Sequence, residues 1–127
     1  MIVVDASVIL DALLAGESAE AASLNSGEPV CAPHLLDVEV AQVLRRLAAG
    51  GALPHSRAEE AIAALGVLPV LRFPHYQLLP RIWELRHSLT AYDASYVALA
   101  ESLEAVLVTR DRRMASAHGH RARVKVV

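Results

Sequence analysis

Three aspartates in this chain stand where a strand-like run gives way to a helix-like one, and that placement is where chemistry could be done. Asp5 closes "MIVVD", Asp111 follows "VLVT", and Asp93 heads "TAYDASYVALAE". Each has an ordinary explanation by itself. Asp5 has the position of an N-cap, Thr90 and Asp93 have the spacing of a capping box, and Asp111 lies in a first turn where the helix dipole favours an anion. Taken together they read differently. In an open parallel sheet, sites form in the crevice beyond the carboxyl ends of the strands, and Asp5 and Asp111 both emerge there. A fourth acid is not explained by capping. Glu39, in "HLLDVEVAQVLRRL", sits at the border of an apolar arc centred on Leu36, Val40, Val43 and Leu47. Asp37 is its rival, although the dipole accounts for a first-turn acid, and the helical wheel leaves the choice open. A small set of converging carboxylates would suit a hard divalent cation, which selects oxygen ligands and keeps several waters.

The elements that would position these acids alternate. "MIVVD" is a short β-branched strand that passes directly into the helix "ASVILDALLAG", stopped by Gly16. "ESAEAASLNSG" reads as a second helix closing at Gly27, and "PVCAP" as a strand. "HLLDVEVAQVLRRLAAGG" is a long amphipathic helix ending at paired glycines. "PHSRAEEAIAALG" is another, with Pro54 in its first turn. "LPVLRF" is a strand, followed by a helix over "HYQLLPRIWELRHS" that Pro80 should kink or divide. The Asp93 helix, the strand "AVLVT", a helix or turn at "RDRRMASAHG" and a last strand "RVKVV" complete the chain. Short apolar strands separated by helices imply an α/β fold, a parallel sheet with helices on both faces.

Length and composition bound the rest. At 127 residues the expectation is one domain spanning 1–127, and a hydrophobic content of 54% implies well-buried faces. A net charge of −2 gives no global attraction to nucleic acid or acidic membranes, so any such contact must be local. The cations are arginines except Lys125. The single cysteine, Cys31, excludes an intramolecular disulfide and a multi-cysteine zinc site. The apolar N-terminus carries Asp5 and Asp11 and no basic leader, and no apolar run reaches about 18 residues. A soluble, cytoplasmic protein without a membrane segment is expected.

Four stretches, "VVDASVIL", "PHLLDVEVAQVLRR", "LTAYDASYVALAE" and "LVTRDRRM", occur in an order and spacing that resemble the PIN-domain ribonucleases, specifically the VapC toxins of prokaryotic toxin–antitoxin pairs. The resemblance runs from residue 2 to about 114. It implies a PIN-like α/β/α fold and places the family's acidic quartet on Asp5, Glu39, Asp93 and Asp111, with Ser7 and Thr109 at its accessory hydroxyl positions. Gln42 departs from it, since such proteins often carry asparagine there. The implied activity is endonucleolytic cleavage of RNA phosphodiester bonds with Mg²⁺ or Mn²⁺, Asp5 and Asp93 holding the principal ion and Glu39 and Asp111 placing waters or a second ion. A homodimer and a VapB-like antitoxin are the implied partners.

Other residues are weighed against that frame. Arg110, Arg112 and Arg113 flank Asp111 and are candidates to hold RNA phosphates, with Arg45 and Arg46 behind them. His118 and His120 lack companion ligands and read as solvated, while His34, His55 and His75 lie beside prolines near helix starts. Trp83 and Leu79 are read as core or interface. With aromatics at 4%, base stacking is not the main route to RNA. Two other classes compete. A receiver-like phosphoacceptor domain would need an aspartate at the end of its third strand, and "LPVLRF" has none. A degenerate, non-catalytic PIN module would bind no divalent metal.

Overall fold

The computed structural model describes residues 1–15 and 24–127. Strand β1 (Ile2–Val4) lies at the centre of a five-stranded parallel sheet of order β3-β2-β1-β4-β5, with β2 at Val30–Pro33, β3 at Val70–Phe73, β4 at Val106–Thr109 and β5 at Arg123–Val126. Val3, Val4, Cys31, Ala32 and Leu107 are fully buried, as a sheet covered on both faces requires of its central strands. The edge strand β5 is mostly exposed and carries Arg123 and Lys125, charges that blunt pairing with another chain. Cys31 is a free, buried thiol whose pKa is pushed up by burial.

Helices α1 (Ala6–Ala15), α2 (Leu35–Ala49) and α3 (His55–Val67) pack on one another as one layer. Helix α4 (Leu79–Glu84) packs on α5 (Ala91–Ser102), which crosses β1, β2 and β4, and a short α6 (Arg112–Ser116) lies against β5. The expected α/β/α architecture is present. The helix expected over residues 17–27 and the stop at Gly16 lie largely or wholly outside the described residues.

Several expectations shift in detail. The buried arc of α2 is Leu36, Val40 and Leu44, whereas Val43 and Leu47 are only half-buried. The paired glycines do end α2: Gly51 adopts φ 77, and Gly51 and Ala52 donate backbone N–H bonds to Ala48 and Leu47, a Schellman closure that L-side chains disfavour. Pro54 is the residue before α3 and not inside it. Of the two outcomes expected at Pro80, the segment is divided and not kinked. A 3₁₀ turn (Tyr76–Leu78) precedes α4, and Pro80 falls in the first turn of α4, where its missing N–H has no intrahelical role. Leu79 and Trp83 are not core: both are exposed, Trp83 with the Arg86 guanidinium 4.7 Å from its ring centre.

Helix α5 is buried over Ala94–Ala100 without a break, more than the stripe of Ala94, Val97, Ala98 and Ala100 expected. Small side chains allow this, since they let the backbone approach the sheet while α4 covers its other side. Its far end is tied down by Glu101, which accepts from Arg81 Nε (2.7 Å), Arg81 Nη2 (3.0 Å) and the Arg121 N–H (2.7 Å). Helix α5 is therefore a fixed rod, and its first turn presents Asp93 at a defined place.

Candidate metal centre

The strand order reverses direction of growth between β1 and β4, and the crevice at their carboxyl ends is where Asp5 and Asp111 emerge. Asp5 is 5% exposed and its two oxygens have different tasks. Oδ1 accepts from the Ser7 hydroxyl (2.5 Å) and from the Val8 N–H (3.3 Å), so Asp5 does cap α1. Oδ2 accepts from the Thr109 hydroxyl at 2.5 Å. Thr109, fully buried, in turn accepts from the Asp111 N–H (3.0 Å), and Ser7 Oγ accepts from the Arg110 N–H (3.1 Å). The two hydroxyls implied by the family resemblance therefore lace the end of β1 to the end of β4 through the Asp5 carboxylate.

Asp93 sits on the first turn of α5, where the Thr90 hydroxyl caps its N–H at 3.1 Å. Among the described residues the reciprocal bond of a capping box, from the Thr90 N–H to the Asp93 carboxylate, is not made. Capping uses Asp93's backbone and leaves its carboxylate for the crevice. The rivalry on α2 is also settled. Asp37 is held by Arg72 of β3, with Nη2 at 3.0 Å and Nε at 3.2 and 3.3 Å, and so faces away from the acids. Glu39 is the acid that meets them, and its Oε1 is buried without a hydrogen-bond partner.

The electrostatics record this convergence. Burial raises the Glu39 pKa, and the nearby charges of Asp93 and Asp5 raise it further. Burial likewise raises Asp93, with Asp111 and Asp5 adding to it and Thr90 and Arg113 partly offsetting it. Asp111 goes the other way. The Arg113 side chain, Nη2 to Oδ2 at 3.0 Å, lowers its pKa, while its Oδ1 caps the Arg113 N–H at 2.9 Å. Tyr96 is a residue that pattern reading missed. It is 1% exposed, its hydroxyl is an orphan beside Glu39, and burial and that acid push its pKa up. The Tyr96 hydroxyl is near enough to lower the Glu39 pKa in part, yet strict hydrogen-bond geometry is not met. The usable signal was its place three residues after Asp93, on the same helix face.

The arginines divide. Arg110 is paired with Asp11 of α1 and Arg113 with Asp111, whereas Arg112 is exposed and makes no ion pair among the described residues. His118 is exposed and His120 is half-buried, its Nε2 3.0 Å from the Met114 carbonyl. His34 and His75 meet edge to face, with ring centres 6.3 Å apart.

Among the described residues no group of three His, Cys, Asp or Glu side chains is placed to hold a metal ion by itself. A hard cation of the Mg²⁺ type does not need one, because it keeps most of its waters and takes one or two carboxylates directly. The orphaned buried Glu39 oxygen, the mutual repulsion of the acids and the all-oxygen donor set fit such an ion.

A parallel sheet with carboxylates gathered at its switch point defines the class, an α/β protein with an acidic crevice. The comparisons narrow this. The family model for the PIN domain matches residues 2–119. The chain is 48% identical over 114 residues to ribonuclease VapC9 of Mycobacterium tuberculosis strain H37Rv, covering 90% of this chain and 88% of that one. It is 43% identical over 129 residues to ribonuclease VapC1 of the same strain, covering 98% and 96%. The solved structure of VapBC2 from Rickettsia felis bound to a DNA fragment from their promoter aligns with a TM-score of 0.73 at 10% identity over 99% of this chain and 98% of that one, a likeness of fold. The chain belongs to the PIN-domain family.

The raised pKa values have a consequence for stability. Between the unfolded and folded pKa of Asp93 and Glu39 the native state holds more protons, so stability falls as pH rises through that window and the deficit persists above it. Asp93→Asn removes one of the repelling charges and leaves the Thr90 cap in place. It is expected to raise the melting temperature at neutral pH in chelator. It should also abolish most of the stabilisation by a divalent cation, about 2.7 kcal/mol for wild type at a hundredfold excess over Kd. Thermal melts of both proteins with chelator and with metal check this; a variant less stable than wild type in chelator would return Asp93 to a capping role.

Proposed function

We propose that this chain is a divalent-metal-dependent endoribonuclease and the toxin of a VapBC-type toxin–antitoxin pair. The observation that carries it is the convergence of Asp5, Glu39, Asp93 and Asp111 on the β1–β4 crevice, and the relatives named as ribonucleases support it. Mg²⁺ is the ion these oxygens suit, with Mn²⁺ its substitute; when bound it activates water and neutralises the charge that develops on the phosphate. Asp5 and Asp93 hold that ion. Ser7 and Thr109 fix the Asp5 carboxylate by donating to both its oxygens, so no rotamer search is needed at the moment of binding. Glu39 and Asp111, on α2 and beyond β4, place water or a second ion. Asp5→Asn and Asp93→Asn should each reduce RNA cleavage by at least about a hundredfold, the scale of losing one preorganised charge stabiliser. Circular dichroism should be unchanged. Cleavage of a labelled RNA at the wild-type rate by either variant would falsify the assignment.

Of the three candidate arginines, Arg112 is the one left to meet phosphate, because Asp11 and Asp111 already engage Arg110 and Arg113. Arg112→Ala is expected to flatten the slope of log RNA affinity against log salt by about 0.7, the contribution of one single-strand phosphate contact. An unchanged slope means that Arg112 is only solvated.

The partners are an antitoxin and a second copy of the chain. The Rickettsia structure, named as a VapBC complex, supports the first. The second is supported by Tyr76, Leu79 and Trp83, exposed at helical spacing on the 3₁₀ turn and α4, where a monomer would leave an apolar strip in water. Light scattering at micromolar concentration should give a dimer that Leu79→Glu or Trp83→Glu dissociates, and the product of the neighbouring reading frame should co-purify with the chain. A wild-type monomer, or failure of that product to bind, removes the respective partner.

A further inference from the structure

Beside the acids lies a groove of about 510 Å³ between α2 and the start of α5, walled by Val38, Gln42, Val43, Arg46 and Tyr92 and ending at Glu39 and Asp93. Its volume falls within the range of about 300–1,000 Å³ typical of small-ligand sites. Three of its groups have no structural employment. Tyr92 is 63% exposed, although Tyr96 four residues on is buried. Gln42, one turn after Glu39, and Arg46, one turn after Gln42, are exposed, and neither side chain has a hydrogen-bond or ion-pair partner among the described residues. Stacked along one face of α2, an acid, an amide and a guanidinium point into the same groove as an aromatic ring.

Resting on the ribonuclease reading, we propose that this groove is the subsite for the nucleotide next to the cleaved bond. Tyr92 stacks on its base, Gln42 addresses the base edge, and Arg46 meets the following phosphate. An aromatic face is sequence-tolerant, because every base has a π-surface, whereas an amide carries both a donor and an acceptor and so distinguishes base edges. Arg46 supplies the cation that an otherwise acidic groove needs to receive a phosphate. The Gln42 side chain reaches the groove wall one turn beyond Glu39. Leu35, Val38 and Val43 give the base an apolar wall beside Tyr92, while the two carboxylates that close one end make an apolar protein segment the poorer occupant.

The test uses binding and cleavage. Anisotropy of a fluorescent single-stranded RNA with a cleavage-resistant 2′-O-methyl backbone is measured on the protein with Mg²⁺, with and without Tyr92→Ala or Tyr92→Phe. Tyr92→Ala should weaken binding about tenfold, the scale of losing one base–aromatic stack, and Tyr92→Phe by no more than about twofold. In otherwise wild-type protein, Tyr92→Ala should lower kcat/KM mainly through KM with an unchanged melting temperature, and Gln42→Ala should redistribute cleavage among the sites of a mixed-sequence RNA. Unchanged affinity in Tyr92→Ala overturns the subsite. Equal loss in Tyr92→Phe overturns stacking, and weakened antitoxin binding with RNA binding intact assigns the groove to a protein. A wild type that cuts no RNA sinks the ribonuclease reading alone, because the binding arm still decides the subsite.

Discussion

Everything at this site depends on holding carboxylates closer together than they would choose to be. Burial first, and then the neighbouring negative charges, raise the pKa of Glu39 and Asp93 in this partly buried crevice. The fold maintains the arrangement by committing backbone and hydroxyl groups to it. Asp5 accepts from two hydroxyls and one backbone N–H, and those hydroxyls are themselves pinned by the Arg110 and Asp111 amides. The first and fourth strands are therefore joined at their carboxyl ends by the same carboxylate that is proposed to hold the ion. Structure and function share one residue here, and stability and cation affinity are set against each other in the ion-free protein.

That tension explains why α5 is built as it is. A helix that must carry Asp93 into repulsion needs other interactions to keep it in place. The run Ala94–Ala100 supplies them by close packing, and Glu101 fastens the far end to Arg81 and the Arg121 amide, about 12 Å from Asp93 at 1.5 Å per residue. Arg81 holds the Glu101 pKa down, so that tie is present at neutral pH and is lost as pH falls through the folded value of Glu101. The two ends of one helix thus respond to acid in opposite senses: repulsion at Asp93 is relieved while the tether at Glu101 is weakened.

How much of this was legible in the sequence follows from what kind of signal each part leaves. The strands "MIVVD" and "AVLVT", the glycine-terminated α2 and the acids at Asp5, Asp93 and Asp111 sit at element boundaries, where residue type and period change together. They were readable for that reason. Glu39 was not separable from Asp37 on a helical wheel, because the partner that removes Asp37 is Arg72, far along the chain on β3. Tyr96 was not singled out, since burial and hydroxyl placement leave no trace in a periodic pattern. Pro80 was legible as a break, kink or division, but not which, because the 3₁₀ turn before it has nearly the same apolar spacing as a helical turn. Trp83 and Leu79 were read as core or interface by size alone; the core half of that reading failed, since hydrophobicity does not say whether a face meets its own sheet or lies open.

The charge balance gives the last link. A chain of net charge −2 with four acids in one crevice repels the polyanion that the proposed reaction requires. The arginines nearby do little to reverse this in the ion-free state, because Arg110 and Arg113 are already spent on Asp11 and Asp111. Neutralising the carboxylates is therefore a condition for a phosphate to approach and not merely for its bond to break. The same cation demand that destabilises the empty site makes RNA affinity and metal occupancy rise together, which is the behaviour expected of a site whose substrate and cofactor bind on opposite sides of one set of charges.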